Sequence, residues 1–212
     1  MAATRGQRIG IWVIAIFMAI GTIGSFAVII LSTQNQKRDQ ARYLELQTEY
    51  QAKLAAQATT LSDKYYPVFS PFASRVGTFD AASVTELATE DLTVGEGDAL
   101  TADSSFTAYY IGWTPDGKIF DQSIDGKSLK APIEVSPGGV IEGWTNGVKG
   151  MQPNGVRELT IPADQAYGET GHGDAIPPNT PLKFLVMIIP TPETVEVPAE
   201  LMSLYGRLNS NG

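Results

Sequence analysis

The sequence predicts an α+β fold: an antiparallel β-sheet with one short helix laid across it, preceded by a single transmembrane helix and a helical spacer. Three observations carry this. Residues 9–31 hold no charged side chain, and residues 32–66 hold neither Gly nor Pro. From about Val84 to Pro190 the chain gathers 14 of its 21 glycines and 9 of its 13 prolines, punctuating short apolar runs as the turns of a small sheet do.

Residues 1–8 form a short tail containing Arg5 and Arg8. The run IGIWVIAIFMAIGTIGSFAVIIL that follows is 23 residues long, with Thr22 and Ser25 its most polar members. At ~1.5 Å rise per residue it crosses a hydrocarbon core of ~30 Å, which reads as a retained anchor. A cleaved signal peptide is the competing reading. Its apolar region is usually ~7–15 residues, and here the small residues Ser25 and Ala27 lie inside the run rather than after it. Arg5 and Arg8 before the span nearly balance Lys37, Arg38 and Arg42 after it. A short tail ahead of a first apolar segment usually stays in the cytoplasm, so the bulk of the chain is expected on the extracytoplasmic side. The net charge of −8 divides unevenly, with +4 in residues 1–42 and −12 in the rest.

Residues 32–66 are rich in Gln and Ala, a helix-favouring composition. Tyr43, Leu46, Tyr50 and Leu54 recur at helical spacing, and Gln57 interrupts the stripe before Leu61. The segment reads as a spacer helix. Fewer than three clean heptads are present, which leaves a weak homodimer through the 32–66 helix as the alternative. Pro67 and Pro71 are expected to end the helix, and residues 67–83 to form a linker that packs on the next domain.

In the domain at 84–190, SFTAYYIGW places Phe106, Ala108 and Tyr110 on one face of a strand, and Pro115-Asp116-Gly117 supplies a turn directly after it. Arg157, Leu159 and Ile161 alternate with Val156, Glu158 and Thr160, and Leu182–Ile189 is a β-rich run. The one helical pattern is VIEGWTNGV, where Ile141, Trp144 and Val148 share a face over two to three turns. Gly150 is placed to cap it. In the tail at 191–212, Pro198–Leu208 reads as a short helix with Leu201, Leu204, Tyr205 and Leu208 on its apolar side.

Composition narrows the chemistry. With no cysteine there is no disulfide, thiol nucleophile or thiolate metal site, and His172 is the single histidine. No G-x-S-x-G elbow accompanies it. The acidic balance argues against a nucleic-acid surface. Gly138, Gly139, Gly143, Gly147 and Gly150 form a glycine-rich stretch, but no G-x-x-x-x-G-K-[ST] is present, so nucleotide binding is rejected. No metal or cofactor is expected.

The strings AYYIGWTPDGKIFDQS, GGVIEGWTNGVKGM, IPADQAYGETGHG and IPPNTPLKFLVMI, in this order and spacing, resemble the FKBP-type peptidyl-prolyl isomerases, the macrolide-binding immunophilins. The resemblance covers about residues 84–190. It implies a twisted antiparallel sheet of five or six strands wrapped around a short helix, with an apolar pocket between them. It also implies that Tyr110, Phe120, Asp121, Trp144, Tyr167 and Phe184 form the catalytic pocket, and that Val140, Ile141, His172 and Ile176 contact substrate. Proline-containing polypeptides are the implied clients and macrolides the implied inhibitors. His172 in TGHGD reads most simply as an exposed loop residue, with substrate contact the alternative.

Isomerising an X-Pro amide needs no acid, base or nucleophile, which suits this composition. The aromatic set would bind the twisted amide better than either planar isomer. The chain departs from the family pattern between Phe120 and Val140. No arginine aligns there to pair with Asp121 unless Lys127 or Lys130 reaches it, and a wall aromatic is replaced by Leu129 or Ala131. Ala175 also stands where a larger aliphatic residue is common. Two functions follow: a membrane-anchored prolyl isomerase that assists the folding of exported proteins, or a tethered binding and chaperone module that uses the same pocket without useful turnover.

Overall fold

The computed structural model describes the backbone of residues 5–210 and the side chains of residues 34–209. The side chains of the apolar run 9–31, on which the expected anchor rests, lie outside the described residues. Among the described residues no helix is long and apolar enough to cross a membrane. The chain divides into two compact units, Met1–Lys53 with Val195–Gly212, and Leu54–Thr194.

Helix α1 (Arg5–Phe69) contributes to both units. In the first, its stripe of Tyr43, Leu46 and Tyr50 is met by Leu201 and Leu204 of helix α3 (Ala199–Ser210) in the C-terminal tail. Tyr43 stacks on Tyr205 with ring centroids 6.4 Å apart. Arg42 donates to both carboxylate oxygens of Glu200, at 3.3 and 3.0 Å. The stripe that reads as a coiled-coil seam is thus occupied within one chain.

The second unit is built on a six-stranded antiparallel sheet in the order β1 (Ala88–Thr93), β7 (Val156–Ile161), β8 (Leu182–Ile189), β2 (Phe106–Trp113), β3 (Ile119–Gln122). Strand β6 (Ile133–Val135) also pairs with β2. Two short strands, β4 (Ile124–Asp125) and β5 (Ser128–Leu129), make a separate hairpin. Pleating sends alternate residues of β2 to opposite faces. Phe106, Ala108 and Tyr110 join Leu159, Ile161, Phe184 and Val186 on the face that receives helix α2 (Glu142–Gly147). Tyr109, Ile111 and Trp113 join Val156, Leu185 and Met187 on the other.

Helix α2 is six residues long, shorter than the two to three turns expected, because Ile141 is already extended and acts as its N-cap. It lies close to the sheet. A Cβ on Gly143 would stand 2.2 Å from Ile161 Cγ2, and one on Gly147 would stand 2.9 Å from Leu159 Cδ2. Those two glycines let Trp144 and Val148 reach the core, where they are 3% and 2% exposed.

The opposite face is covered by the end of helix α1 and the linker after it. Tyr65 and Phe69, one helical turn apart, are buried there at 3% and 0% exposure. Pro67 does not stop the helix, which runs on to Phe69 with the proline inside it. An interior proline costs a helix about 3 kcal/mol. Burying two aromatic side chains at about 1.5–3 kcal/mol each offsets that. A 3₁₀ segment, Ser70–Arg75, follows, and the Trp113 indole donates to the Gly77 carbonyl at 3.1 Å. Gln57, the interruption in the stripe, donates to the Glu193 carbonyl at 2.6 Å.

Candidate active site

Between the α2 face of the sheet and the loops at its edge lies an open cavity of about 460 Å³. Its residues converge from distant parts of the sequence, each presented by an element the sheet fixes. Tyr110 comes from β2 and Phe184 from β8, in neighbouring paired strands. Phe120 and Asp121 come from β3, and Asp121 lies opposite Gly112 in the β2–β3 register. Trp144 rises from α2, and Val140 and Ile141 from the loop leading into it. Tyr167 comes from the loop after β7.

The aromatic rings meet edge to face. Trp144 lies perpendicular to Tyr110, with centroids 5.6 Å apart at 81°, and to Phe184, at 5.4 Å and 88°. Phe120 meets Phe184 at 5.5 Å and 83°. Such T-shaped packing places positive ring edges against negative faces and holds the rings rigidly. Trp144 and Phe184 are buried at 3% and 4% exposure, whereas Tyr110, Phe120 and Tyr167 are half-buried and Asp121 is exposed. The result is an apolar floor with a polar rim.

At the rim the Tyr110 hydroxyl donates to Asp121 Oδ2, and the Gln122 amide donates to Asp121 Oδ1 at 2.8 Å. Among the described residues Asp121 makes no ion pair. The Lys130 ammonium donates instead to the Gln122 carbonyl at 2.9 Å. The basic partner sought in Lys127 or Lys130 is therefore replaced by a tyrosine hydroxyl. Burial, reinforced by the hydrogen bond to Asp121, raises the Tyr110 pKa above the ordinary phenol value. Burial also raises that of Tyr167, with the Asp121 charge adding to it. Both phenols keep their protons at neutral pH. Among the described residues the Tyr167 hydroxyl and the Ile141 amide have no hydrogen-bond partner, so both can donate to a ligand.

His172 and Ile176 do not line the cavity. His172 is exposed and stacks on Tyr167, with centroids 4.7 Å apart at 22°. Its backbone pairs with that of Ile176, which turns its side chain into the core at 2% exposure. Leu129 is not a cavity wall either. It is buried on the opposite side of the sheet among Tyr65, Phe69 and Trp113, and Ala131 is exposed. The wall position is filled by Ile133, while Gly138 and Gly139 form a stretch of wall without side chains. These three escaped the sequence reading. Ile133 stands in a three-residue strand too short to show alternation, and the glycines drew notice only as a rejected phosphate loop.

Residues 96–189 match the family described as FKBP-type peptidyl-prolyl cis-trans isomerase. The chain is 39% identical over 100 residues to the FK506-binding protein of Neisseria meningitidis serogroup A, an alignment covering 47% of this chain and 91% of that protein. It is 35% identical over 95 residues to a probable FKBP-type peptidyl-prolyl cis-trans isomerase of Haemophilus influenzae, covering 45% of this chain and 38% of that one. A crystal structure of a peptidyl-prolyl cis-trans isomerase from Pseudomonas syringae pv. tomato aligns at 34% identity. It covers 62% of this chain and 96% of the other, with a TM-score of 0.44.

Proposed function

This chain belongs to the FKBP-type peptidyl-prolyl cis-trans isomerases, and we propose that its aromatic cavity turns the X-Pro bonds of exported polypeptides at a membrane surface. The observation that carries the assignment to this cavity is the edge-to-face cluster of Tyr110, Phe120, Trp144 and Phe184 beneath two donors unpartnered among the described residues, the Tyr167 hydroxyl and the Ile141 amide.

Rotation about the amide meets a barrier of ~18–20 kcal/mol because it breaks the C–N resonance. The pyrrolidine ring packs on Trp144 with Phe120 and Phe184 as walls, which expels water from around the bond. Water stabilises the charge-separated planar amide, so its removal favours the twisted form. Tyr167 and Ile141 donate to carbonyls of the chain and hold the proline while the preceding carbonyl swings. Asp121, fixed by Tyr110, sets the electrostatics of the rim without exchanging a proton. His172 braces the Tyr167 ring, and Ile176 packs the loop beneath it. A macrolide inhibitor would occupy the same cavity.

The anchor is residues 9–31, and the isomerase unit stands on the extracytoplasmic side. The uncharged length of that run and the short tail before it support this placement.

Exchange spectroscopy on a short X-Pro peptide tests the enzymatic assignment. The full chain should accelerate exchange. Tyr167→Phe should lower kcat/KM by about tenfold, and Phe184→Ala by more than that. Parent-like rates in both variants would move catalysis away from this cavity. No acceleration by the parent would leave the tethered binding module as the surviving function.

A further inference from the structure

The stretch between Asp121 and Ile133 leaves one wall of the cavity and returns to it, and its path is set from outside the sheet. At its base Ser123 brackets Tyr110. The Ser123 amide donates to the Tyr110 carbonyl at 2.8 Å, and the Tyr110 amide donates to Ser123 Oγ at 2.9 Å. The Lys130 amide closes the hairpin on the Ser123 carbonyl at 2.8 Å. One residue earlier, the buried Leu129 amide donates to Ser62 Oγ of helix α1 at 2.8 Å. The Tyr66 hydroxyl, one turn further along, reaches the Gly126 carbonyl at 3.4 Å. Helix α1 is thus joined through Leu129, Lys130 and Ser123 to the backbone of Tyr110, whose hydroxyl holds Asp121.

Beside this clip the Leu129 side chain is buried on the face opposite the cavity, among Tyr65, Phe69 and Trp113, at 5% exposure. Ser62 is itself 5% exposed, and removing its oxygen would leave a buried backbone donor without a partner.

We propose that Ser62, assisted by Tyr66, is a positioning residue for the isomerase site. It holds the 123–130 hairpin, which joins the rim residue Asp121 to the wall residue Ile133, and so sets which side chains fit before the proline. A proline ring on Trp144 leaves the preceding residue at the rim, against that pair. The inference rests on the cavity being the isomerase site, and one consequence is independent of turnover: the hairpin and rim should shift together when the clip is lost.

The test uses the full chain, kept in detergent, with Ser62→Ala, Ser62→Thr and Tyr66→Phe. Peptides with Ala, Leu or Phe before proline give kcat/KM ratios, and amide chemical shifts are recorded for Leu129, Asp121 and Ile133. Ser62→Ala should change the Leu-to-Ala ratio by at least about threefold and move the Asp121 and Ile133 amides, with Ser62→Thr restoring both. A uniform loss across the three peptides, or parent ratios with only a lower melting temperature, overturns the proposal. If the parent itself does not turn over, the isomerase assignment fails and the amides alone decide the positioning role. Should Ser62→Ala fail to fold, Tyr66→Phe, which leaves Leu129 paired, decides by the same readouts with a smaller shift in the same direction.

Discussion

Gly112 sits near the end of β2, against the rings of Phe120 and Phe184, and a side chain has no room there. A Cβ at that position would stand 2.5 Å from Phe120 Cζ and 2.6 Å from Phe184 Cε1. Both neighbours are aromatic, and each is locked edge to face, Phe120 on Phe184 and Phe184 on Trp144. A methyl group therefore displaces two cavity walls at once. Gly112→Ala should destabilise the domain by about 1–3 kcal/mol and lower kcat/KM by about tenfold or more. Chemical denaturation and peptide-exchange kinetics check this together. Unchanged kinetics would mean that the two rings do not shape the transition state. The sequence shows Gly112 inside an otherwise apolar strand, but the rings that require it come from residues 8 and 72 positions further along.

At the scale of elements, the 3₁₀ segment Ser70–Arg75 is tied to the sheet by ions. Arg75 Nε donates to Glu158 Oε2 at 2.6 Å, and Lys183 Nζ donates to Glu158 Oε1 at 2.7 Å, joining the segment to β7 and β8. The Glu158 side chain is 7% exposed. Burial pushes its pKa up, but the hydrogen bonds from Lys183 and Arg75 outweigh that and hold it below the ordinary glutamate value. A carboxyl whose folded pKa is lowered contributes stability above its unfolded value of about 4.3 and loses it as pH falls through the folded value. Glu158→Gln should therefore cost about 1–3 kcal/mol at neutral pH, and parent and variant should converge in acid. Urea unfolding at pH 7 and pH 3 measures both. An equal difference at the two pH values would show that the carboxylate charge is not the cause.

The proposed anchor and its orientation are tested on the full chain in cells. Anchoring by residues 9–31 with the isomerase unit outside the cytoplasm predicts that the protein stays in the membrane fraction through carbonate extraction. It also predicts that protease added to cells with a permeabilised outer layer degrades residues 54–194 while cytoplasmic proteins survive. Release by carbonate would remove the anchor, and full protection of the unit would reverse its orientation.

The strings that mark an isomerase domain were legible as a family resemblance, and periodicity and local chemistry alone marked strands β2, β7 and β8, the Trp144 helix and the C-terminal helix. These are legible because a strand or helix face repeats within a few residues, whatever lies across from it. Tertiary structure decided the rest. It made Tyr110 rather than a lysine the partner of Asp121, because β2 and β3 pair there. It put Ile133 in the cavity wall and buried Leu129 on the far face, because Tyr65, Phe69 and Trp113 gather there to cover it. It carried the helix past Pro67, because the two aromatic side chains flanking the proline found a sheet face to bury against. Each of these depends on a contact between distant residues, and spacing along the chain holds no record of such a contact.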